Sequence, residues 1–142
     1  MNVILPIHKK WIEKILRGEK RAELRKTRLR QSPVECIVYL YETAPTSAVV
    51  GYAECFAYTS EIVKSCDEVM RTVYGMTRDE VTEIFGDREN IWVVWMKNPR
   101  RFEAPIPIER FTGKRFAPQS HIYTDINPSE LEVRAHDVRE WK

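Results

Sequence analysis

The sequence has 142 residues, of which 43% are apolar and 31% charged, with a net charge of +2. That length suits one domain, and the composition excludes a disordered or fibrous chain. No apolar run approaches the roughly 20 residues needed to span a bilayer. The opening Met-Asn-Val-Ile-Leu-Pro-Ile-His lacks a basic leader and a long apolar stretch, so no signal peptide is expected and the location is expected to be cytoplasmic.

The charge is unevenly placed. Residues 8–30 hold ten Lys or Arg against three acids, a net of +7, and the remainder is net −5. A basic field on an acidic body suggests an anionic partner. The alternative is a solvated basic face with no partner.

In chain order, Val3 and Leu5 predict a short strand ending near Pro6. Ile7, Trp11, Ile12, Ile15 and Leu16 recur at helical spacing, and Gly18 stands where a helix C-cap belongs. Residues 21–25 alternate, which predicts a strand with Ala22 and Leu24 inward and Arg21, Glu23 and Arg25 on the opposite face. The apolar run from Cys36 to Tyr41 predicts a central strand. A proline loop follows at 43–47, and residues 48–58 predict another strand, with Gly51 at a bulge. Ser65–Glu68 and Thr77–Glu80 both fit the S/T-x-x-E capping box, and Gly75 and Gly86 would end the two helices. A helical hairpin is therefore expected over residues 65–86. Residues 91–96 predict a strand stopped before Pro99, and residues 102–108 an extended edge segment. Residues 119–126 predict a last strand, and Asn127-Pro128 a helix start. In the tail, Leu131, Arg134, Val138 and Trp141 suit a helix, while Leu131, Val133 and Ala135 suit a strand.

Regular β-α-β alternation is missing, so the fold class expected is α+β, mainly β: a small, partly open barrel with an N-terminal amphipathic helix and a helical hairpin insert. Residues 1–126 form the expected domain. Residues 127–142 are an extension packing on it or partly mobile. Cys36, Cys55 and Cys66 have no CxxC spacing, and His8, His121 and His136 have no ligand spacing, so neither a disulfide framework, a metal nor a cofactor is expected. Phosphate-binding glycine loops and the common hydrolase signatures are absent. Tyr39, Tyr41, Tyr52, Phe56, Tyr58, Trp92 and Trp95 are expected mostly in the core, with Trp11 packing the first helix down. Tyr123 is the better candidate for a cleft wall.

The informative segment is Gly18-Glu19-Lys20-Arg21-Ala22-Glu23-Leu24-Arg25-Lys26. Lys20 and Arg25 offer cationic donors to a phosphate or base edge, and Glu23 can accept from an amino group or hold Arg25. Gln119 and Ser120 could line the same cleft. The bland alternative is a surface Lys–Glu–Arg network, worth only about 0–1 kcal/mol per pair.

The segment resembles the ASCH domain family of the PUA-like superfamily, whose pattern Gly-x-Lys-x-x-Glu-x-Arg is met by Gly18, Lys20, Glu23 and Arg25. The resemblance continues through Tyr39–Tyr41 and Val49-Val50-Gly51 to Ala117-Pro118-Gln119-Ser120, covering about residues 2–124. It implies a PUA-like β-barrel with a cleft beside the motif. Members are mostly inferred to bind RNA or nucleotides; a few hydrolyse acylated cytidines, others are described as ribonucleases, and some occur in transcription coactivators. The amidohydrolase members carry Thr where this chain has Glu23, and a carboxylate does not replace a hydroxyl in that chemistry.

The functional expectation is RNA or nucleotide binding. Lys20, Glu23, Arg25, Gln119, Ser120 and Tyr123 would form the site, and Lys9, Lys10, Lys14, Lys26, Arg28 and Arg30 a phosphate rim. Two alternatives stand beside it. One is a hydrolase acting on a modified nucleoside or RNA through Lys20 and Glu23, and the other a protein-interaction module in transcription or translation. No membrane partner is expected, and the oligomeric state stays open.

Overall fold

A computed structural model describes residues 1–62, 68, 70–86, 88 and 90–138. Seven strands form one mixed sheet: β1 (Asn2–Ile7), β2 (Ala22–Arg25), β3 (Ile37–Glu42), β4 (Ala48–Ile62), β5 (Asn90–Ile106), β6 (Ile122–Thr124) and β7 (Ala135–His136). The strand order is β2-β5-β4-β3-β1-β6, with β7 also on β5. Among the described residues only β1 and β3 run parallel. The sheet is not closed: β2 and β6 end it on opposite sides.

Helix α1 (Lys9–Leu16) buries Ile12, Ile15 and Leu16, the stripe its spacing predicts. His8 caps it, accepting from the Lys10 amide, and Gly18 follows at φ +79°. A π-helical turn at Met70–Tyr74 and helix α2 (Arg78–Phe85) occupy the segment expected to be a helical hairpin. The Thr77–Glu80 capping box is formed and Gly86 caps the other end. The Ser65–Asp67 start of the expected first helix, Cys66 and Trp141 lie outside the described residues. A one-turn helix α3 (Glu109–Thr112) precedes β6, and Asn127-Pro128 opens a 3-10 turn.

Two expectations are corrected. Residues 90–106 form one strand through Pro99, because the chain bulges at Asn98–Pro99 instead of stopping. The segment expected at an edge is paired on both sides, with β4 and with β7. The tail takes its strand alternative, with Ala135 facing Phe102.

The core divides across the sheet. Val3, Leu5, Val38, Leu40, Ala53 and Val94 pack with α1 on one face. On the other, Ala22, Leu24, Ile91 and Val93 meet Met70, Tyr74, Met76, Val81 and Phe85 of the insert. Trp11 touches both groups. A third group, centred on Tyr39, Phe102 and Phe111, includes Leu131 of the tail. Among the described residues no helix is long and apolar enough to cross a membrane.

Candidate functional site

The end of α1 sets the position of the motif. The Lys20 amide donates back to Lys14 O at 3.1 Å, and the Arg21 amide to Val73 O at 2.8 Å. Lys20 is thereby fixed where helix, insert and β2 meet. Its side chain is 3% exposed, and Nζ donates to Tyr74 O at 2.7 Å. Burial lowers its pKa to about 8, against the opposing pull of Glu23.

β2 is the strand that sequence periodicity gave one inward face, yet both faces are covered. Glu23 is 9% exposed and its Oε2 has no hydrogen-bond partner among the described residues. Burial raises its pKa, while Lys20 and Arg25 pull it down. An unsatisfied buried carboxylate oxygen costs on the order of 1–3 kcal/mol or more. Lys20 and Glu23 line one cavity of about 50 Å3 with Trp11, Leu24, Met76, Ile84 and Phe85. Lys20 Nζ lies 5.4 Å from the Trp11 ring centroid.

Glycine makes this approach sterically feasible. At Gly75 φ is +66°, and a Cβ would lie 2.9 Å from the Lys20 Cβ. Gly75→Ala should cost about 1–2 kcal/mol from the left-handed backbone alone. It should also displace Lys20, so that its ammonium titrates closer to the ordinary value of 10.5. Urea unfolding and an NMR titration of the Lys20 side chain check both effects; unchanged values would mean the contact is slack.

Further along the sheet, Glu23 faces Val94 on β5, and Val94 faces Tyr58 on β4, so the three share one row. Arg25 faces Trp92, which stacks on Tyr58 with centroids 5.2 Å apart. The segment after β2 then spans the gap to β6. The Leu29 amide donates to Tyr58 OH at 2.7 Å, and the Gln31 amide to Tyr123 OH at 2.7 Å. Arg28 lies over Trp92 at 5.4 Å and Arg30 over Tyr123 at 5.3 Å. Lys26, Arg28 and Arg30 are exposed.

His121 was not singled out by sequence. Its Nδ1 meets Ser120 Oγ at 3.1 Å, and its Nε2 is buried without a partner among the described residues. Burial, then Arg25 and Arg30, lower its pKa. Glu23 Oε2 and His121 Nε2, the two orphaned buried side-chain polar atoms among the described residues, thus both lie in the field of Arg25. Only the fold reveals this, because the segment after β2 reaches β6 through the Gln31–Tyr123 hydrogen bond.

The remaining predicted residues fall as follows. Gln119 and Ser120 are exposed, and neither lines the Lys20–Glu23 cavity. Tyr123 is half-buried and holds the Gln31 backbone. On α1, Lys9 pairs with Glu13 at 3.9 Å, Lys10 pairs with Glu80, and Lys14 Nζ donates to Gly75 O at 2.8 Å. Phe56, expected in the core, is 48% exposed.

No protein-family model matches this chain, and no curated protein sequence does. Solved structures do. The crystal structure of ASCH from Zymomonas mobilis is similar at a TM-score of 0.75 and 17% identity, over 91% of this chain and 90% of that one. Two mutants of that protein are similar at a TM-score of 0.71, with 16% and 17% identity, over 91% of this chain and 90% and 92% of theirs. The chain therefore has the fold of an ASCH domain.

Proposed function

We propose that this ASCH-type fold binds RNA or a nucleotide beside Lys20, Glu23 and Arg25, using the basic segment after β2 to hold phosphates. The observation that carries the reading is Glu23: a buried carboxylate with an unpartnered oxygen, lining a small cavity with Lys20 and in the field of Lys20 and Arg25. Stability gives no reason to keep such a group, whereas a ligand amino group would satisfy it. Arg28 and Arg30, laid over aromatic rings, supply the phosphate contacts.

The cavity itself limits what enters. About 50 Å3 is little more than a water's share of ~30 Å3 in the liquid. It takes an exocyclic group, not a whole base, so recognition at Glu23 is edge-on. That small size also favours a second reading, a protein-interaction module that needs no base pocket.

The test is a titration of fluorescently labelled single-stranded RNA and a panel of nucleosides against the protein at low salt. Binding that saturates and is competed by one nucleoside supports the reading. Absence of binding to every RNA and nucleoside refutes it in favour of the interaction module. Affinity should also fall as pH rises through about 8, where Lys20 loses its proton. Lys20→Arg, which keeps its charge at that pH, should remove the inflection; an unchanged inflection would dismiss Lys20 as its source.

A further inference from the structure

Lys20 also borders a second cavity, of about 520 Å3, whose other lining residues include Arg21, Phe56, Trp95, Lys97, Asn98 and Pro99. Two irregularities of the β4–β5 ladder build it. Cys55 faces Met96 and Ala57 faces Trp95, so Phe56 is the extra residue of a bulge. Further along, Glu54 faces Lys97 and Tyr52 faces Arg100, which leaves Asn98 and Pro99 against Ala53 alone. Asn98 adopts φ +52°, a conformation Asn tolerates, and its side-chain amide donates to Glu54 at 2.7 Å. Phe56, Asn98 and Pro99 all line the cavity, so both bulges shape it.

The lining has a definite chemistry. Phe56 is 48% exposed, against the usual burial of a strand phenylalanine. Trp95 gives its indole N–H to Thr59 Oγ1 at 2.9 Å, which leaves its ring as an apolar wall. Arg21 and Lys97 are exposed at the rim, and among the described residues neither side chain has a hydrogen bond or ion pair. The volume falls in the ~300–1,000 Å3 range of small-molecule sites, and a mostly apolar and aromatic lining with few polar groups is their usual make-up. Two free cations beside exposed aromatic surface suit a ligand that joins a flat ring to a negative charge.

We propose that this groove binds one nucleotide unit of a single-stranded RNA, its base against Phe56 and Trp95 and its phosphate on Arg21 and Lys97. The proposal rests on the reading that the chain binds RNA, and it adds a second subsite on the other flank of Lys20. One strand would then be gripped at two places, edge-on at Glu23 and by stacking in the groove. Stacking tolerates any base, so the groove adds affinity without sequence preference.

The experiment is a 1H–15N NMR titration of the full chain, first with adenosine 5′-monophosphate and then with an eight-nucleotide oligouridine. The indole N–H of Trp95, assigned from a Trp95→Phe spectrum, and the amides of Lys97 and Asn98 should shift with both probes. Phe56→Ala should weaken adenosine monophosphate binding about tenfold. Lys97→Glu, an exposed change that leaves packing intact, should weaken it similarly, so a poorly folded Phe56 variant does not decide the matter. Glu23→Gln should weaken the oligonucleotide while leaving the Trp95 response to the mononucleotide in place. If the oligonucleotide shifts residues around Glu23 but leaves Trp95, Lys97 and Asn98 unmoved, the groove is not a subsite and the RNA reading survives. If neither probe binds anywhere, both fall. If an acidic aromatic peptide moves these resonances and the nucleotides do not, the groove is a protein-docking site and the proposal is overturned.

Discussion

Glu23→Gln is expected to weaken RNA or nucleoside binding by ~1–3 kcal/mol, roughly 5- to 150-fold, by removing a charged acceptor from the ligand's donor. Its effect on folding should run the other way. Burial raises the folded-state pKa of Glu23 above the ordinary 4.5, so the folded chain holds a proton that the unfolded chain has released. The stability linked to that proton is present at low pH and is lost as pH rises from about 4.5 through the folded-state value. The glutamine variant has no such proton to lose. Urea midpoints measured upward from about pH 4.5 should therefore fall with pH more steeply for the natural chain than for the variant. Anisotropy titrations at the same pH supply the binding half. A variant that loses stability at pH 7 and keeps its affinity would make Glu23 a structural group and remove it from the site.

The salt dependence of RNA binding should come from the segment after β2 and not from α1. The helix cations are already committed, Lys9 to Glu13, Lys10 to Glu80 and Lys14 to Gly75 O. Lys26, Arg28 and Arg30 are exposed and, among the described residues, have no carboxylate partner. Each phosphate contact on a single strand contributes about 0.7 to the slope of log affinity against log salt. Replacing all three by Ala should lower the slope by about 2, and so remove roughly 20-fold of the affinity lost between about 50 and 200 mM salt. The double change Lys9→Ala, Lys10→Ala should shift it far less. Equal slopes for the two variants would show that the basic field acts as a whole, without localised contacts.

These effects separate because one covalent stretch serves two physical roles. Residues 8–30 read as a single basic run in sequence. The helix turns Lys9 and Lys10 toward acids of α1 and α2 and Lys14 toward the Gly75 carbonyl, whereas the segment leaving β2 is drawn across the open edge of the sheet by the Tyr58 and Tyr123 hydroxyls. Charge counting along the chain cannot see that difference, because it depends on which acids the fold places opposite each cation.

By itself the sequence determined whatever depends on near neighbours. The stripe of α1, the glycine after it, the Thr77–Glu80 capping box and the strand character of residues 22–25 and 37–42 follow from local periodicity and local hydrogen bonding. The Gly18–Arg25 motif was legible in the same way, as a run of residue types at fixed spacing. The tertiary structure decided the rest. Pro99 did not end its strand, since long pairing with β4 on one side outweighed a local breaker that a bulge could absorb. Phe56 did not enter the core, because it is the extra residue of a bulge in the β4–β5 ladder, which simple strand alternation does not foresee. Glu23 was buried although alternation put it on the face opposite Ala22 and Leu24, because α1 and the insert close over an edge strand. His121 became a candidate only when the fold set it, next to β6 at the far end of the sheet order, in the field of Arg25 and Arg30. In each case the deciding contact joins residues tens of positions apart, and long-range packing, unlike a cap or a helical stripe, leaves no local pattern to read.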